Sequence, residues 1–100
     1  MIYITEKFDK QNVYNQIYNA AEEVMMSDDF GFPEDEVKDY LFVDVDEDED
    51  SYRIEVRAEV SYEGMREIAG VLDPIVQKYD PYSYFDDVAP GIMDTYISKY

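Results

Sequence analysis

Residues 39–62 carry the clearest alternation of apolar and polar side chains in the sequence. Leu41, Val43 and Val45 are separated by Phe42, Asp44 and Asp46. A second alternating run follows after an acidic gap, with apolar side chains at Tyr52, Ile54, Val56, Ala58 and Val60. A period of two residues is typical of strands with one buried face. The pattern predicts two antiparallel strands joined by an acidic turn.

A turn at residues 47–50 fixes a predicted register for this hairpin. On the buried face it pairs Val45 with Tyr52 and Val43 with Ile54. On the outer face it pairs Asp44 with Arg53, so that opposite charges lie across from each other. A slip of one residue would expose the whole apolar set, so the assignment of faces is strongly constrained.

Two other stretches have apolar residues at the three- and four-residue spacing of amphipathic helices. The first runs from about Lys10 to Met26, with Asp9 as a plausible N-cap. The second runs from about Glu63 to Tyr79 and contains Pro74, which predicts a kink or a restart with Asp73 as N-cap. The apolar stripes are Val13, Ile17, Ala20, Ala21 and Val24 in the first helix, and Met65, Ile68, Ala69, Leu72, Val76 and Tyr79 in the second. Pro33, followed by three acids, predicts one further short turn of helix.

The two ends of the chain give weaker patterns. Ile2 and Ile4 flank Tyr3, which predicts a short first strand. Near the other end, residues 82–85 predict a short last strand through Tyr82, Tyr84 and Phe85. After Pro90, the spacing of the apolar side chains favours a final helix along Ile92, Met93, Tyr96, Ile97 and Tyr100.

Together these elements predict an α+β fold. We expect an antiparallel sheet of three to four strands with helices packed on one face, in the order β-α-β-β-α-(β)-α. This order allows a ferredoxin-like, split β-α-β arrangement. One hundred residues with 46% apolar side chains are enough for a single domain spanning residues 1–100.

Net charge is the property of the sequence that bears most on its possible partners. The chain has 25 acidic and 8 basic residues, for a net charge of −17. Residues 28–50 alone hold twelve acids and one base, Lys38, so this segment accounts for −11 of the total. Such a charge repels nucleic acid and anionic membranes and favours basic partners. With no apolar run of about 18 residues and no signal-peptide pattern, we expect a cytoplasmic protein.

The residues that usually carry catalysis are missing. The sequence has no histidine and no cysteine, and its four glycines form no phosphate-binding or dinucleotide-binding motif. A pair of carboxylates acting as acid and base remains, but among 25 carboxylates a close pair is expected by chance. We therefore expect a protein that is not an enzyme and uses no cofactor.

An acidic frame from Asp44 to Glu55 matches part of a calcium-binding loop. Asp44, Asp46 and Asp48 fall at positions 1, 3 and 5, and Glu55 at position 12. Position 6 should be glycine and is Glu49, and the flanking segments are predicted strands rather than helices. An acidic hairpin tip is the favoured interpretation, so we predict no tight metal site.

Eleven tyrosines give the chain a second unusual feature, and three of them, Tyr79, Tyr82 and Tyr84, cluster with Phe85 near the C-terminal end. Buried rings with hydroxyls reaching water are one explanation. An interface is the other, because tyrosine is enriched at binding surfaces and stacks on arginine. Tyr82 and Tyr84, which lie among acids, are the candidates for that role.

The leading hypothesis is a non-catalytic binding protein that engages a basic protein surface. The predicted contact residues are Asp44, Asp46, Glu47, Asp48, Glu49 and Asp50, extended by Asp28, Asp29, Glu34, Asp35 and Glu36 and joined by Tyr82 and Tyr84. In size, charge and lack of catalytic side chains, the chain resembles the small acidic proteins with which phages and mobile elements occupy nucleic-acid sites of host enzymes. The resemblance implies a nucleic-acid mimic and carries over no residue roles. The alternative is an accessory domain that self-associates through its tyrosine-rich C-terminal half.

Overall fold

The computed structural model describes residues 8–99, and these form an α+β fold, as predicted. The predicted strand at Ile2–Ile4 lies outside the described residues. Four antiparallel strands form one sheet in the order β1-β2-β4-β3. The elements in chain order are α1 (Lys10–Met25), α2 (Glu34–Tyr40), β1 (Leu41–Glu47), β2 (Ser51–Ala58), α3 (Tyr62–Val76), β3 (Asp87–Ala89) and β4 (Ile92–Ser98).

Helix α1 begins and packs as its sequence predicts. The Asp9 side chain accepts a hydrogen bond from the Asn12 backbone N–H, at 3.1 Å, and caps the first turn. Every fourth residue then turns inward, and the fully buried side chains are Val13, Ile17, Ala21 and Met25. After a loop, Pro33 precedes the short helix α2, which has three acids in its first turn.

The hairpin of β1 and β2 confirms the predicted strands and the predicted faces, but the predicted register is wrong by two residues. Val45 pairs with Ile54, and Val43 with Val56. The turn is tighter than expected, because the Asp48 N–H donates to the Ser51 carbonyl at 2.8 Å. A shift of two residues keeps every side chain on its predicted face.

Helix α3 starts at a Ser61 cap, whose hydroxyl accepts from the Gly64 N–H at 3.1 Å. Gly64 is buried against Val60 and the Phe30 ring, which an added Cβ would meet at 3.0 and 3.1 Å. Pro74 lies in the last turn, and the helix ends two residues later at Val76 without a restart. Asp73 caps no helix; its carboxylate accepts from the Phe85 N–H at 2.8 Å.

The C-terminal predictions are corrected in two places. Residues 82–85 form no strand; they run beside β4 and are joined to it by side-chain hydrogen bonds, such as Ser83 Oγ to the Tyr96 carbonyl at 2.7 Å. The predicted final helix is strand β4, reached through a turn at Gly91, where φ is +80°. Every second side chain of β4 points inward, at Met93, Thr95 and Ile97. Pairing with β2 makes this segment a strand and not a helix.

The layers follow from this topology. α1 and α3 cover one face of the sheet, and the core lies between them. β3 is parallel to β2 with β4 between them, so β2-α3-β3 is a split β-α-β unit. No helix within residues 8–99 combines the length and the apolar composition needed to cross a membrane. The opposite face of the sheet is covered by no described helix, and it carries most of the site.

Candidate functional site

A row of four carboxylates crosses the uncovered face of the sheet, which we call the open face. Asp44 pairs with Glu55, Glu55 with Asp94, and Asp94 with Asp87, one acid from each strand. Neighbouring strands lie about 4.8 Å apart, so adjacent members of the row are close enough to repel one another. We call these four residues the acidic row.

Two arginines on β2 neutralise the middle of the acidic row. Arg53 Nη2 lies 2.9 Å from Glu55 Oε1 and 2.8 Å from Asp94 Oδ2, so one guanidinium bridges two strands. Arg57 Nη2 reaches Glu55 Oε2 at 3.0 Å. Glu55 is only 6% exposed, and the hydrogen bonds that Arg53 donates to Glu55 and Asp94 raise the pKa of Arg53. Among the described residues, Asp44 and Asp87, at the ends of the row, make no ion pair.

Asp44 also lies beside a second carboxyl group on its own strand. A side-chain hydrogen bond with Asp46 raises the pKa of Asp44 most, followed by partial burial and by the charges of Asp46 and Glu55. Lys10 acts in the opposite direction. The edge of the acidic row therefore holds an acid–acid contact whose ionised form is unfavourable, and a cation from outside the chain would relieve it.

Apolar and aromatic side chains flank the acidic row on the open face. Phe42 and Tyr96 are each 53% exposed, and Ile92 is 37% exposed. The Arg57 guanidinium lies over the Phe42 ring, 5.7 Å from its centroid. Phe42, Arg57 and Ile92 pair across three strands. The open face thus combines exposed rings, guanidinium groups held by carboxylates, and carboxylates that make no ion pair within residues 8–99.

The hairpin tip, residues 46–50, lies at one end of β1, and each of its residues is exposed. Of the predicted contact residues there, Glu47 makes an ion pair, with Lys99 Nζ at 2.9 Å, and this contact lowers the pKa of Glu47. The other tip acids have no ion pair within the described part of the chain, and they are Asp46, Asp48, Glu49 and Asp50.

The remaining predicted acids lie at the opposite end of β1. Phe8, just before α1, stacks on Tyr52 near the tip, with ring centroids 3.7 Å apart. Glu22, near the end of α1, lines a surface cavity with Glu34 and Asp35. α1 therefore runs antiparallel to β1, and a strand of seven residues separates the two acidic groups by roughly 20 Å. The structure places Asp28, Asp29, Glu34, Asp35 and Glu36 in this second group.

Tyr82 and Tyr84 lie on the segment that borders β4. Tyr82 is 90% exposed and Tyr84 is 52% exposed. Between them, Ser83 is buried and its hydroxyl lies 2.9 Å from Thr95 Oγ1, while the Thr95 hydroxyl donates to the Tyr84 carbonyl at 2.8 Å. The backbone under the two exposed rings is therefore held in place.

The acidic row was missed by sequence reasoning, although part of its signal was visible. Arg53, Glu55 and Arg57 alternate on the outer face of β2 as predicted. Asp94 was assigned to a helix, and the register placed Asp44 opposite Arg53. Without β4 in the sheet, the row cannot be assembled.

Carboxylates are also the side chains that calcium sites use as ligands. Among residues 8–99, no three acidic side chains are grouped so that they could hold a metal ion. The two strands that flank the acidic turn replace the helices of a calcium loop. The absence of tight calcium binding stays a prediction that calorimetry tests.

Comparison of the chain with models of protein families, with characterised proteins and with solved structures gives no match.

Proposed function

We propose that this chain is a non-catalytic binding protein whose hairpin tip engages a basic protein surface. One observation carries the proposal. Six acids lie between Asp44 and Asp50, and within the described residues only Glu47 makes an ion pair. A chain that needed acids only for solubility would require a net charge of about 2–8 in magnitude, whereas this one has −17. Unpaired like charges at one tip repel one another, and a basic partner relieves that repulsion.

The strength of such binding is collective. An exposed ion pair contributes about 1 kcal/mol or less, so no single tip acid dominates. Several acids that act together steer a basic partner during its approach, which raises the association rate at low salt. Added salt screens exposed charges over about 10 Å, so association slows sharply as the salt concentration rises.

The sharpest form of the proposal is a nucleic-acid mimic that occupies the basic site of a nucleic-acid enzyme, in a host or in a phage-defence system, and inhibits it. Carboxylates on one face of a strand are roughly 6.7 Å apart, and each strand of duplex DNA carries a phosphate for about every 3.4 Å of axis. Along β1, Asp44 and Asp46 therefore present carboxylates at about half the linear density of the phosphates on a nucleic-acid strand. The proposed setting is the cytoplasm, where such enzymes act.

The test begins with capture of partners on the immobilised chain at about 50 mM and about 500 mM salt. Association rates are then measured for each captured partner with the wild type and with the charge-reversal variant Asp46→Lys, Asp48→Lys, Asp50→Lys. The matched control is Glu23→Lys, Glu59→Lys, Glu67→Lys, which makes the same charge change at exposed positions on other elements.

We expect the tip variant to slow association at least tenfold more than the control variant does, and DNA or RNA to compete with the chain. A partner that associates equally fast with both variants and is insensitive to salt contradicts the proposal. If both variants slow the association of a partner equally, that partner is attracted by the net charge of the chain and not by the tip.

A second candidate function is self-association through the tyrosine-rich C-terminal half. The exposure of Tyr82, at 90%, above a segment anchored by buried hydrogen bonds favours it, because a rigid exposed ring loses little entropy on binding. Sedimentation equilibrium at high salt tests it with the variant Tyr82→Ser, Tyr84→Ser. A wild type that stays monomeric rules this candidate out.

A further inference from the structure

The open face of the sheet has features that the hairpin tip lacks. No described helix covers it, and three large side chains, Phe42, Ile92 and Tyr96, are exposed there between 37% and 53%. The face also carries five acids and two arginines, a net charge of −3; these are Asp44, Asp46, Glu55, Asp87, Asp94, Arg53 and Arg57. Exposed rings beside unpaired acids are typical of a binding surface that accepts cationic side chains.

We infer that the open face binds an arginine-bearing segment of the partner protein. The inference rests on the proposed function, because it concerns the same basic partner and specifies the chemistry of the contact. Charge complementarity selects a basic occupant. A second copy of the chain is disfavoured, since its own open face would set a net negative surface against a net negative surface.

The chain's own contacts show why arginine is preferred over lysine. Arg53 bridges Glu55 and Asp94 on neighbouring strands with Nε and Nη2 donors, at 2.8 to 3.2 Å. A planar guanidinium can make such a bridge because its donors form a rigid fork, whereas an ammonium group is a point charge. The spacing between neighbouring strands in the acidic row therefore fits guanidinium groups.

The ends of the acidic row offer the same chemistry to an arginine from outside the chain. Asp44 has an acidic neighbour, Asp46, and no ion pair, and Asp87 has no ion pair within residues 8–99. The Phe42 ring already holds the Arg57 guanidinium at 5.7 Å, and the Tyr96 ring is exposed on the same face. An incoming arginine would meet a carboxylate and find a ring to stack on.

The experiment compares two peptide probes of equal charge, five Arg-Ser repeats and five Lys-Ser repeats. Affinities are measured by calorimetry for the wild type and three variants. Asp44→Asn with Asp87→Asn removes two charges from the open face, and Asp48→Asn with Asp50→Asn removes two from the tip as the matched control. Phe42→Ser with Tyr96→Ser removes the rings without changing charge. Far-UV circular dichroism and thermal unfolding check that each variant is folded.

We expect the wild type to bind the arginine peptide about fivefold more tightly than the lysine peptide. The open-face acid variant should lose affinity for the arginine peptide, and the ring variant should lose the preference for arginine. The tip variant should lower the affinity for both peptides by the same factor, so the ratio of the two affinities should not change.

Equal affinity of the wild type for the two peptides, or an arginine preference that survives both open-face variants, overturns the inference. Either result leaves the proposed function standing, because that is decided separately by the salt dependence of the tip variant. If neither peptide binds, the inference also fails. Should the ring variant unfold, the acid variant and its tip control still decide the location of the site.

Discussion

The two faces of the sheet are built from the same strands and have opposite compositions. The inner face is apolar and buried at Val43, Val45, Ile54 and Val56, while the next residue along each strand points to the open face and is charged or exposed. Burial of the inner face supplies the hydrophobic stabilisation of the fold. The open face adds little, because its acids repel one another and its ion pairs are partly exposed. Stability and surface chemistry can therefore vary almost independently in this molecule.

The same substitution made on each face tests most directly whether the inner face contributes more to stability than the open face. Ile54 is fully buried, so Ile54→Ala should lower the free energy of unfolding by about 3–4 kcal/mol. Ile92 is 37% exposed on the open face, so Ile92→Ala should cost about 1 kcal/mol or less. Urea denaturation measures both. Equal losses would mean that the open face is covered by something other than solvent.

The difference between the faces also explains what the sequence could predict. Alternation along β1 and β2 identifies the inner face correctly, because a period of two is set by the backbone itself. The register was missed because a shift of two residues preserves that alternation. The hydrogen bond from the Asp48 N–H to the Ser51 carbonyl fixes the register, and the pattern of side chains does not predict it.

The ion pairs of Glu55 allow a second test, with a smaller effect. Glu55→Gln removes the charge that holds Arg53 and Arg57, which should lower the free energy of unfolding by about 1.5 kcal/mol. The cost is moderate because Arg57 is 58% exposed and Arg53 keeps Asp94. Glu59→Gln, at an exposed acid that makes no ion pair with another described residue, should change stability by less than about 0.5 kcal/mol in chemical denaturation. A loss above about 3 kcal/mol would show that the open face does stabilise the fold.

β4 was predicted as a helix because its apolar residues fit both periods. Ile92, Met93, Tyr96 and Ile97 match helical spacing, and the alternation of Met93 and Ile97 is interrupted by a polar residue, Thr95. In the fold Thr95 is buried at 5% exposure and pairs with Ile54. Its hydroxyl is satisfied by Ser83 and by the Tyr84 carbonyl, partners that only the tertiary structure provides. The acidic row was missed for the same reason, since Asp94 enters it only when β4 is a strand.

Thr95 therefore gives a third test, of the one polar position among the inward residues of β4. Thr95→Val keeps the shape and removes the hydroxyl, so the Tyr84 carbonyl loses its donor. We expect the free energy of unfolding to fall by about 1 kcal/mol. The control is Tyr96→Phe, which removes a hydroxyl from an exposed side chain of the same strand. A more stable Thr95→Val variant would mean that the free-energy cost of burying the hydroxyl exceeds the stabilisation from its hydrogen bonds.

The smallest expected effect is an increase in the free energy of unfolding. The Asp46 carboxyl, then partial burial and the charges around it, raise the pKa of Asp44 above its ordinary value of 3.8. An acid whose pKa is higher in the folded state than in the unfolded chain destabilises the fold when it is ionised. Asp44→Asn should therefore increase the free energy of unfolding at pH 7, by about 0.5 kcal/mol.

The pH dependence distinguishes this cause from a general loss of charge. The advantage of Asp44→Asn over the wild type should be complete above the raised pKa of folded Asp44. It should shrink as the pH falls through that pKa and vanish below about 3.8, where the carboxyl is protonated in both states. Asp48→Asn, at the exposed tip, serves as the control and removes the same charge without the acid–acid contact. Denaturation curves from pH 3 to pH 7 measure both differences. If Asp44→Asn gains no more than Asp48→Asn, or keeps its advantage at pH 3, the acid–acid contact at the edge of the acidic row does not destabilise the fold, and the open face loses one reason to take up a cation.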